Sequence, residues 1–517
     1  MRDTSSLEKI LVLDFGAQYA HLICRRIREL GVYAELAPFD ITPDEIRKKN
    51  AKGLILSGGP MSVYEKKAPL PSAKIYDLGL PILGICYGLQ TIVLQKGGSV
   101  ERRKRKEYGK ASVNILSESP LFYGVSNGSV CWMSHGDAAS KLPKGFEAIA
   151  TTANSPFAAI ASGNLYAVQF HPEVTHTHEG MKMLSNYIFG ICKCKRNWST
   201  ETMIEDAISE LQSKLGSKDR VLCALSGGID SSTTAALLEK AIEKRLVCVF
   251  VDHGLLRQGE RARVEQIFLP RLGKNLIVVD ESKRFLQKLK GVKDPEEKRK
   301  IVGREFIASF TRVSKKLGRI KWLAQGTLYT DIVESAGSGL SKKQAKIKSH
   351  HNVGGLPSKL GFELIEPLKD LYKDEVRKVA SSLGLPDDLI HSHPFPGPGL
   401  AVRVIGEVSK EKLRIVREAS AIVEQELREA KLYDKTWQSF AFVGDDMVTG
   451  IKGDAREVGH AVTVRVVESV DAMTADWSRV PYSILEKISD RITNEVSGVT
   501  WVTYAISSKP PATIEPQ

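Results

Sequence analysis

The sequence predicts an α/β protein: two doubly wound parallel-sheet domains followed by a small α+β C-terminal domain. Three observations predict it. First, Val221 to Ser232 reads VLCALSGGIDSS, an unbroken apolar run that stops at a glycine turn and restarts as a helix. Second, short apolar strands alternate with helical spacing through the first third of the chain. Third, the final stretch drops that alternation for period-two apolar patterns set beside long helices.

The first observation organises the rest. Val221 to Leu225 is a buried strand, Ser226-Gly227-Gly228 is the turn, and Ala235 to Leu238 lies on the helix beyond. Glycines let backbone N–H groups approach an anion closely, and the helix N-terminus adds its positive end. Hydroxyls from Ser226, Ser231 and Ser232 ring the turn, which makes it a phosphate cradle. It is not the common P-loop, whose lysine reaches the terminal phosphates: here Asp230 and Ser231 follow the turn and no lysine does. A lone Gly-Gly would be read as a plain tight turn, but the whole of SGGIDSS after a buried strand favours a ligand. The pattern resembles the signature of the ATP pyrophosphatases. That resemblance implies that the β and γ phosphates are held as a unit while the α phosphorus is attacked.

The totals set bounds. At 517 residues, 42% hydrophobic and 26% charged, the chain has the composition of an ordinary protein with two to four domains. No apolar run approaches membrane-spanning length, and the start lacks a signal-peptide core, so no membrane is expected. Seven cysteines without framework spacing fit a reducing cytoplasm. Cys192 and Cys194 have no second pair to complete a zinc site and read as a loop of free thiols. The net charge of +13 is explained by solubility or by anionic nucleotide substrates. The run Arg102 to Lys106 has no interleaved aromatic and reads as a solvated loop or hairpin, so no nucleic acid is expected.

In the first third, Ile10 to Leu13, Leu54 to Leu56 and Ile82 to Ile85 are strands, and Gln18 to Leu30 is a helix stopped by Gly31. The third strand runs into Gly84-Ile85-Cys86-Tyr87-Gly88-Leu89-Gln90. Gly84-x-Cys86-x-Gly88 has the form of a nucleophile elbow with cysteine in place of serine. The helix behind it favours the thiolate, the reactive species. About eighty residues on, Phe170-His171-Pro172-Glu173 offers a base, with His171 taking the thiol proton and Glu173 orienting the imidazole. Gly58 and Gly59 end a neighbouring strand, where their N–H groups could form an oxyanion hole. Singly, each piece has a bland structural explanation. The ordered set SGGP, GICYGLQ and FHPEV resembles the class I glutamine amidotransferases from about Ile10 to Gly190. The resemblance implies hydrolysis of glutamine through a γ-glutamyl thioester, with Tyr87 and Gln90 beside the substrate. Ser134-His135-Gly136-Asp137 either shapes the glutamine pocket or is a plain turn.

Cys192 to Thr200 breaks the periodicity and marks a boundary, after which a capped amphipathic helix leads into the cradle strand. Leu246 to Val251, Leu276 to Val279 and Lys321 to Ala324 are further strands of a second doubly wound sheet, with its ligand crevice at the strand ends. Ala324-Gln325-Gly326-Thr327 either shapes the nucleotide site, with Asp331 able to reach a metal, or is a structural turn. Ser341 to Pro357 is basic and glycine-bearing, the composition of a lid over phosphates, with Lys348, His350 and His351 as its contacts. These segments resemble the GMP synthase family more than the sister ATP pyrophosphatases, and HSHPFPGPGLAVR (His391 to Arg403) looks particular to it.

Helical spacing from Ser409 to Lys431 and from Ile484 to Val496, with alternation over Ala461 to Val467 and Thr500 to Ile506, makes the last part α+β. It resembles the dimerisation domain of bacterial-type GMP synthases, which implies a homodimer. The tail, Ser508 to Glu515, matches the family's end that binds xanthosine monophosphate (XMP). By that resemblance Lys509 meets the phosphate, Ile514 and Glu515 meet the base or ribose, and Gln438 and Arg304 are further contacts. The match departs at Trp501, where many relatives carry arginine, which puts one phosphate contact in doubt. The expected domains are 1–195, 196–395 and 396–517. The implied substrates are ATP, XMP and glutamine, with Mg²⁺ accompanying ATP and Asp230 and Asp331 as its candidate carboxylates. The rival readings are another amidotransferase-coupled ATP pyrophosphatase of the NAD synthetase type, and an RNA-binding relative motivated by the basic charge.

Overall fold

A computed structural model of the chain describes residues 7–17, 19–318, 320–336, 362–469 and 474–517, with the side chains of 103–105, 333–336 and 452 left aside. The chain divides into two compact units, one running through Asp206 and the other taking Ala207–Ser335 and Lys348–Gln517. Among the described residues no helix is long and apolar enough to cross a membrane.

The first unit is built on an eight-stranded sheet. Its strands are β1 (Lys9–Asp14), β2 (Ala34–Pro38), β3 (Ala51–Leu56), β4 (Ile82–Ile85), β6 (Asn114–Ile115), β8 (Glu147–Thr151), β9 (Ala159–Ser162) and β10 (Leu165–Val168). The order is β2-β1-β3-β4-β10-β9-β8-β6. The first five strands are parallel, whereas β9, β8 and β6 extend the sheet antiparallel. The parallel strands are runs of Ile, Leu and Val because helices cover both faces; Leu11, Leu13, Leu54 and Leu56 are wholly buried. A separate two-stranded ribbon pairs β5 (Ser99–Ser112) with β7 (Val130–Lys141). The basic run therefore lies on a strand of a ribbon, and Ser134 to Asp137 lies on a strand and not in a turn.

The stretch expected to link domains is tied to this unit. Asn197 accepts from the Tyr33 N–H (3.0 Å) and donates to the Glu8 carbonyl (2.7 Å), and the Trp198 ring sits 4.8 Å from that of Tyr33. Cys192 and Cys194 are free thiols on an irregular segment, as expected, and both are buried.

The second unit opens with a five-stranded, wholly parallel sheet. It comprises β11 (Val221–Leu225), β12 (Leu246–Asp252), β13 (Leu276–Asp280), β14 (Trp322–Ala324) and β15 (Glu363–Ile365), in the order β13-β12-β11-β14-β15. The chain leaves β11 toward β12 and β13, then crosses to β14, so the switch point lies between β11 and β14. That is where ligands bind in open sheets of this kind. A four-stranded sheet follows: β16 (Gln438–Lys452), β17 (Ala455–Glu468), β18 (Asp476–Trp477) and β19 (Val499–Tyr504). The helices Lys410–Glu429 and Tyr482–Glu495 accompany it. One hydrophobic core runs through both sheets, from Leu222 and Val249 to Leu413, Val464 and Val499. Leu400, Ala401 and Val404, just past the expected boundary near 395, are buried inside it.

Candidate active sites

The cysteine site is assembled where β3, β4 and β10 end. Cys86 caps the helix Tyr87–Gln95 with φ 54° and ψ −101°, a left-handed conformation that is costly for any residue other than glycine. The flanking glycines are steric necessities. A Cβ on Gly84 would come within 2.7 Å of the Gly88 backbone, and one on Gly88 within 2.2 Å of the Leu56 carbonyl oxygen. Gly88→Ala is therefore expected to cost roughly 3 kcal/mol through overpacking. Thermal unfolding of the variant should begin about 6–12 °C lower; an unchanged transition would show that the elbow can relax.

His171 follows β10, and its Nδ1 lies 2.7 Å from Glu173 Oε1, both side chains being buried. Burial opposes the charged ring, but the Glu173 carboxylate and then the Cys86 sulfur outweigh it. The pKa of His171 is thus held well above the ordinary histidine value. The imidazolium, once formed, is stabilised between two negative groups, as proton transfer from the thiol requires. The backbone fixes the ring as well: His171 N donates to Trp132 O (3.0 Å), Thr177 Oγ1 donates to His171 O (2.6 Å), and Tyr19 packs edge-on at 5.0 Å.

Gly58 and Gly59 lie against this set. A Cβ on Gly58 would touch His171 Cε1 at 3.3 Å, and one on Gly59 would meet the Tyr87 ring at 2.9 Å. Tyr87 N–H is at the first helical position, where it has no acceptor within the helix. Gln90, one turn on, donates to the Asp137 carbonyl at 2.8 Å. The other six residues expected here are thus gathered at the Cys86 elbow. Spacing did not reveal Gln169, whose amide nitrogen is 3.7 Å from Cys86 Sγ, nor Ser62 and Tyr64, which donate to the Asp137 carboxylate.

The second site lies at the switch point. Ser226 and Ser231 hydroxyls are 2.9 Å apart, Ser226 N donates to Ser231 Oγ (3.1 Å), and Gly228 N donates to Ser226 Oγ (3.4 Å). Gly227 has φ 82°, which glycine alone adopts without strain. The helix Ile229–Ile242 then starts with its first N–H groups pointing out of the turn. Ser232 is buried with its hydroxyl unpaired among the described residues. From β14, Gly326 packs so closely that a Cβ would be 3.0 Å from the Asp230 backbone. Asp331 Oδ2 accepts from Leu328 N at 2.8 Å.

A lysine does reach this turn, from elsewhere. Lys373, 143 residues beyond Asp230 and the first residue of the helix Lys373–Ser382, places Nζ 2.7 and 2.5 Å from the two Asp230 carboxylate oxygens. No local spacing announces it. Lys348, His350 and His351 lie outside the described residues. Among the described residues there is no group of three or more His, Cys, Asp or Glu that could hold a metal ion.

The tail folds back on the second unit. Arg403, fully buried, grips Glu515 with two hydrogen bonds (3.0 and 2.9 Å), and Gln438 donates to the same carboxylate at 2.6 Å. Arg465 donates to the carbonyls of Ile514, Thr513 and Ser507 (2.9, 2.8 and 3.1 Å), and the Ile514 side chain joins Phe440 and Val467 in a small core. Lys509 pairs through its backbone with Ala475. Gln438, Ile514 and Glu515 are thus brought together. Arg304 is not brought to them: it is exposed and paired with Glu297 at 3.1 Å, while Arg299 on the same helix reaches the tail at Gln517 O (2.5 Å). Trp501 is about half exposed and donates to Thr449 O at 3.1 Å.

Comparison with known proteins identifies the family, with matches over the first unit and the C-terminal part of the second. The family model "Glutamine amidotransferase class-I" matches residues 11–191, and "GMP synthase C terminal domain" matches residues 425–516. The glutamine-hydrolysing GMP synthase of Aquifex aeolicus is 53% identical over 508 residues, covering 98% of this chain and 99% of that protein. The protein of the same name from Brachyspira hyodysenteriae is 50% identical over 513 residues, covering 99% of both. The chain belongs to the glutamine-hydrolysing GMP synthase family. Its cysteine site falls within the amidotransferase match, and its tail, with Glu515 and Ile514, falls within the GMP synthase C-terminal match.

Proposed function

We propose that the two sites divide the GMP synthase reaction between them: the first frees ammonia from glutamine, and the second adenylates XMP with ATP and exchanges AMP for that ammonia. The products are GMP, AMP, pyrophosphate and glutamate. In the first site the Cys86 thiolate attacks the glutamine side-chain carbonyl carbon. His171, carrying the thiol proton, gives it to the departing nitrogen; ammonia leaves a γ-glutamyl thioester, which water hydrolyses. The amides of Gly59 and Tyr87 are the candidate oxyanion donors.

In the second site a purine carbonyl oxygen is too poor a leaving group for direct displacement. Its attack on the α phosphorus converts it into an adenylate, and pyrophosphate departs with concentrated negative charge. The Ser226–Ser232 turn supplies amides and hydroxyls for that charge. Lys373 supplies the cation a P-loop would carry locally, held by Asp230 until phosphate takes it over. A Mg²⁺ arriving with ATP would keep phosphate and water oxygens and take one or two carboxylates, for which Asp230 and Asp331 are the candidates. When bound, it shares the charge of the phosphates. Glu515 and Gln438, with Ile514 and Lys509, are the XMP contacts this reading assigns.

Met447, Ile451 and Val458 leave an exposed apolar end on the β16–β17 pair, which supports a homodimer formed there. Seven free thiols support a reducing, cytoplasmic location. The observation that carries the proposal is a cysteine–histidine–carboxylate relay in one unit and a lysine delivered to a lysine-free glycine turn in the other. Incubation with ATP, Mg²⁺, glutamine and XMP should yield AMP and pyrophosphate, and deamido-NAD in place of XMP should yield none. Release of ADP would overturn the assignment of the second site.

A further inference from the structure

Strand β7 runs beside the cysteine site, and three of its carbonyls touch it. Trp132 O accepts from His171 N at 3.0 Å, Ser134 O lies 3.7 Å from Cys86 Sγ, and Asp137 O accepts from Gln90 Nε2 at 2.8 Å. The line β7 follows is therefore part of the site. Its ladder is irregular at this point. β5 is its partner in the two-stranded ribbon, and the pairing jumps from Arg102↔Asp137 to Glu107↔His135, leaving residues 103–106 opposite the single residue Gly136. Register is weakly specified by backbone hydrogen bonds across such a bulge.

The ladder resumes at a buried polar pair. Glu107 and His135 are 8% and 6% exposed. His135 Nε2 is 3.2 Å from Glu107 Oε2, Thr152 Oγ1 donates to Glu107 Oε1 at 3.1 Å, and His135 Nδ1 is 3.0 Å from the Asp137 carbonyl oxygen. A carbonyl oxygen can only accept, so Nδ1 carries a proton; the Nε2 contact holds a second, on the ring or on the carboxyl. Either way the imidazole is bonded at both ends, and the Asp137 carbonyl is clamped between His135 on its own strand and Gln90 on the nucleophile's helix.

We propose that Glu107 and His135 are positioning residues for glutamine use, a buried pair that pins β7 beside the thiol so that Asp137 and Gln90 present one fixed wall to the amide substrate. The proposal rests on the reading of Cys86 as the glutamine nucleophile. Its test compares Glu107→Ala, Glu107→Gln and the double variant Glu107→Leu/His135→Leu. The double variant removes both buried polar groups and so keeps the fold where a single deletion strands a charge. In Glu107→Ala and in the double variant, KM for glutamine should rise at least about tenfold with kcat changed less than about threefold; Glu107→Gln should recover most of the loss. Ammonium-driven GMP formation should stay within about twofold in all three, because the pair lies in the glutamine-using unit. A merely structural role predicts that KM follows thermal stability, so a double variant with wild-type unfolding temperature and wild-type KM overturns the proposal. So does a loss of ammonium-driven turnover in proportion to the glutamine-driven loss. If Glu107→Ala does not fold, the double variant decides. Cys86→Ala separates the two levels: glutamine-driven turnover surviving it would defeat the underlying reading, whereas its loss with an unmoved KM in the pair variants defeats only the pinning role.

Discussion

Cys86→Ala is expected to lower glutamine-driven GMP formation by roughly 10⁴-fold or more while leaving ammonium-driven formation within about twofold. The expectation follows from where the sulfur sits. It is buried at the start of the helix Tyr87–Gln95, and the His171 imidazole, whose pKa it raises, meets Glu173 at 2.7 Å. No other group among the described residues of that site can form a thioester. The turn at Ser226–Gly228 belongs to the second unit, so free ammonia should bypass the lesion. Alanine inherits the same strained backbone as cysteine, and the fold should be spared. The measurement is paired initial rates with glutamine and with an ammonium salt, read as AMP released. Equal loss of both, with an unchanged unfolding transition, would mean that the two units do not divide the labour as proposed.

Lys373→Met is expected to show the opposite pattern, a fall of roughly 10²–10³-fold in both glutamine-driven and ammonium-driven synthesis. Methionine keeps an unbranched apolar stem and removes only the charge. In the structure that charge sits 2.5 Å from Asp230 at the mouth of the phosphate turn. The pair is about one-third to one-half exposed, so its contribution to stability is small and the unfolding temperature should scarcely move. What is lost is the cation that would meet departing pyrophosphate. Lys373→Arg is the discriminating companion: it keeps the charge and should recover part of the loss if the cation does the chemistry. Ammonium-driven turnover unaffected by Lys373→Met would remove Lys373 from the site.

Two features legible from local spacing alone share one property: all their groups come from a few consecutive residues. The elbow Gly84-x-Cys86-x-Gly88 and the turn Ser226-Gly227-Gly228 are of this kind, because local sterics dictate the backbone path and the path dictates which atoms face outward. Apolar runs mark β1, β3, β4, β11 and β12 in the same way, since strands buried on both faces need unbroken hydrophobic sequence. Strand direction is less legible. The sheet of the first unit carries β9, β8 and β6 antiparallel, and a short apolar run reads the same in either direction.

The sequence by itself therefore determined the two local motifs, a cysteine elbow and a serine–glycine turn, and the layered α/β character around them. Tertiary structure alone decided which distant groups meet: Lys373 on Asp230, Arg403 on Glu515 at the tail, and the Glu107–His135 pair on the ribbon beside the thiol. It also decided that one core continues from Leu222 through to Val499. The reason is physical: a contact between residues a hundred positions apart depends on strand order, register and the packing of everything between them, and none of these is written in the spacing of neighbouring side chains.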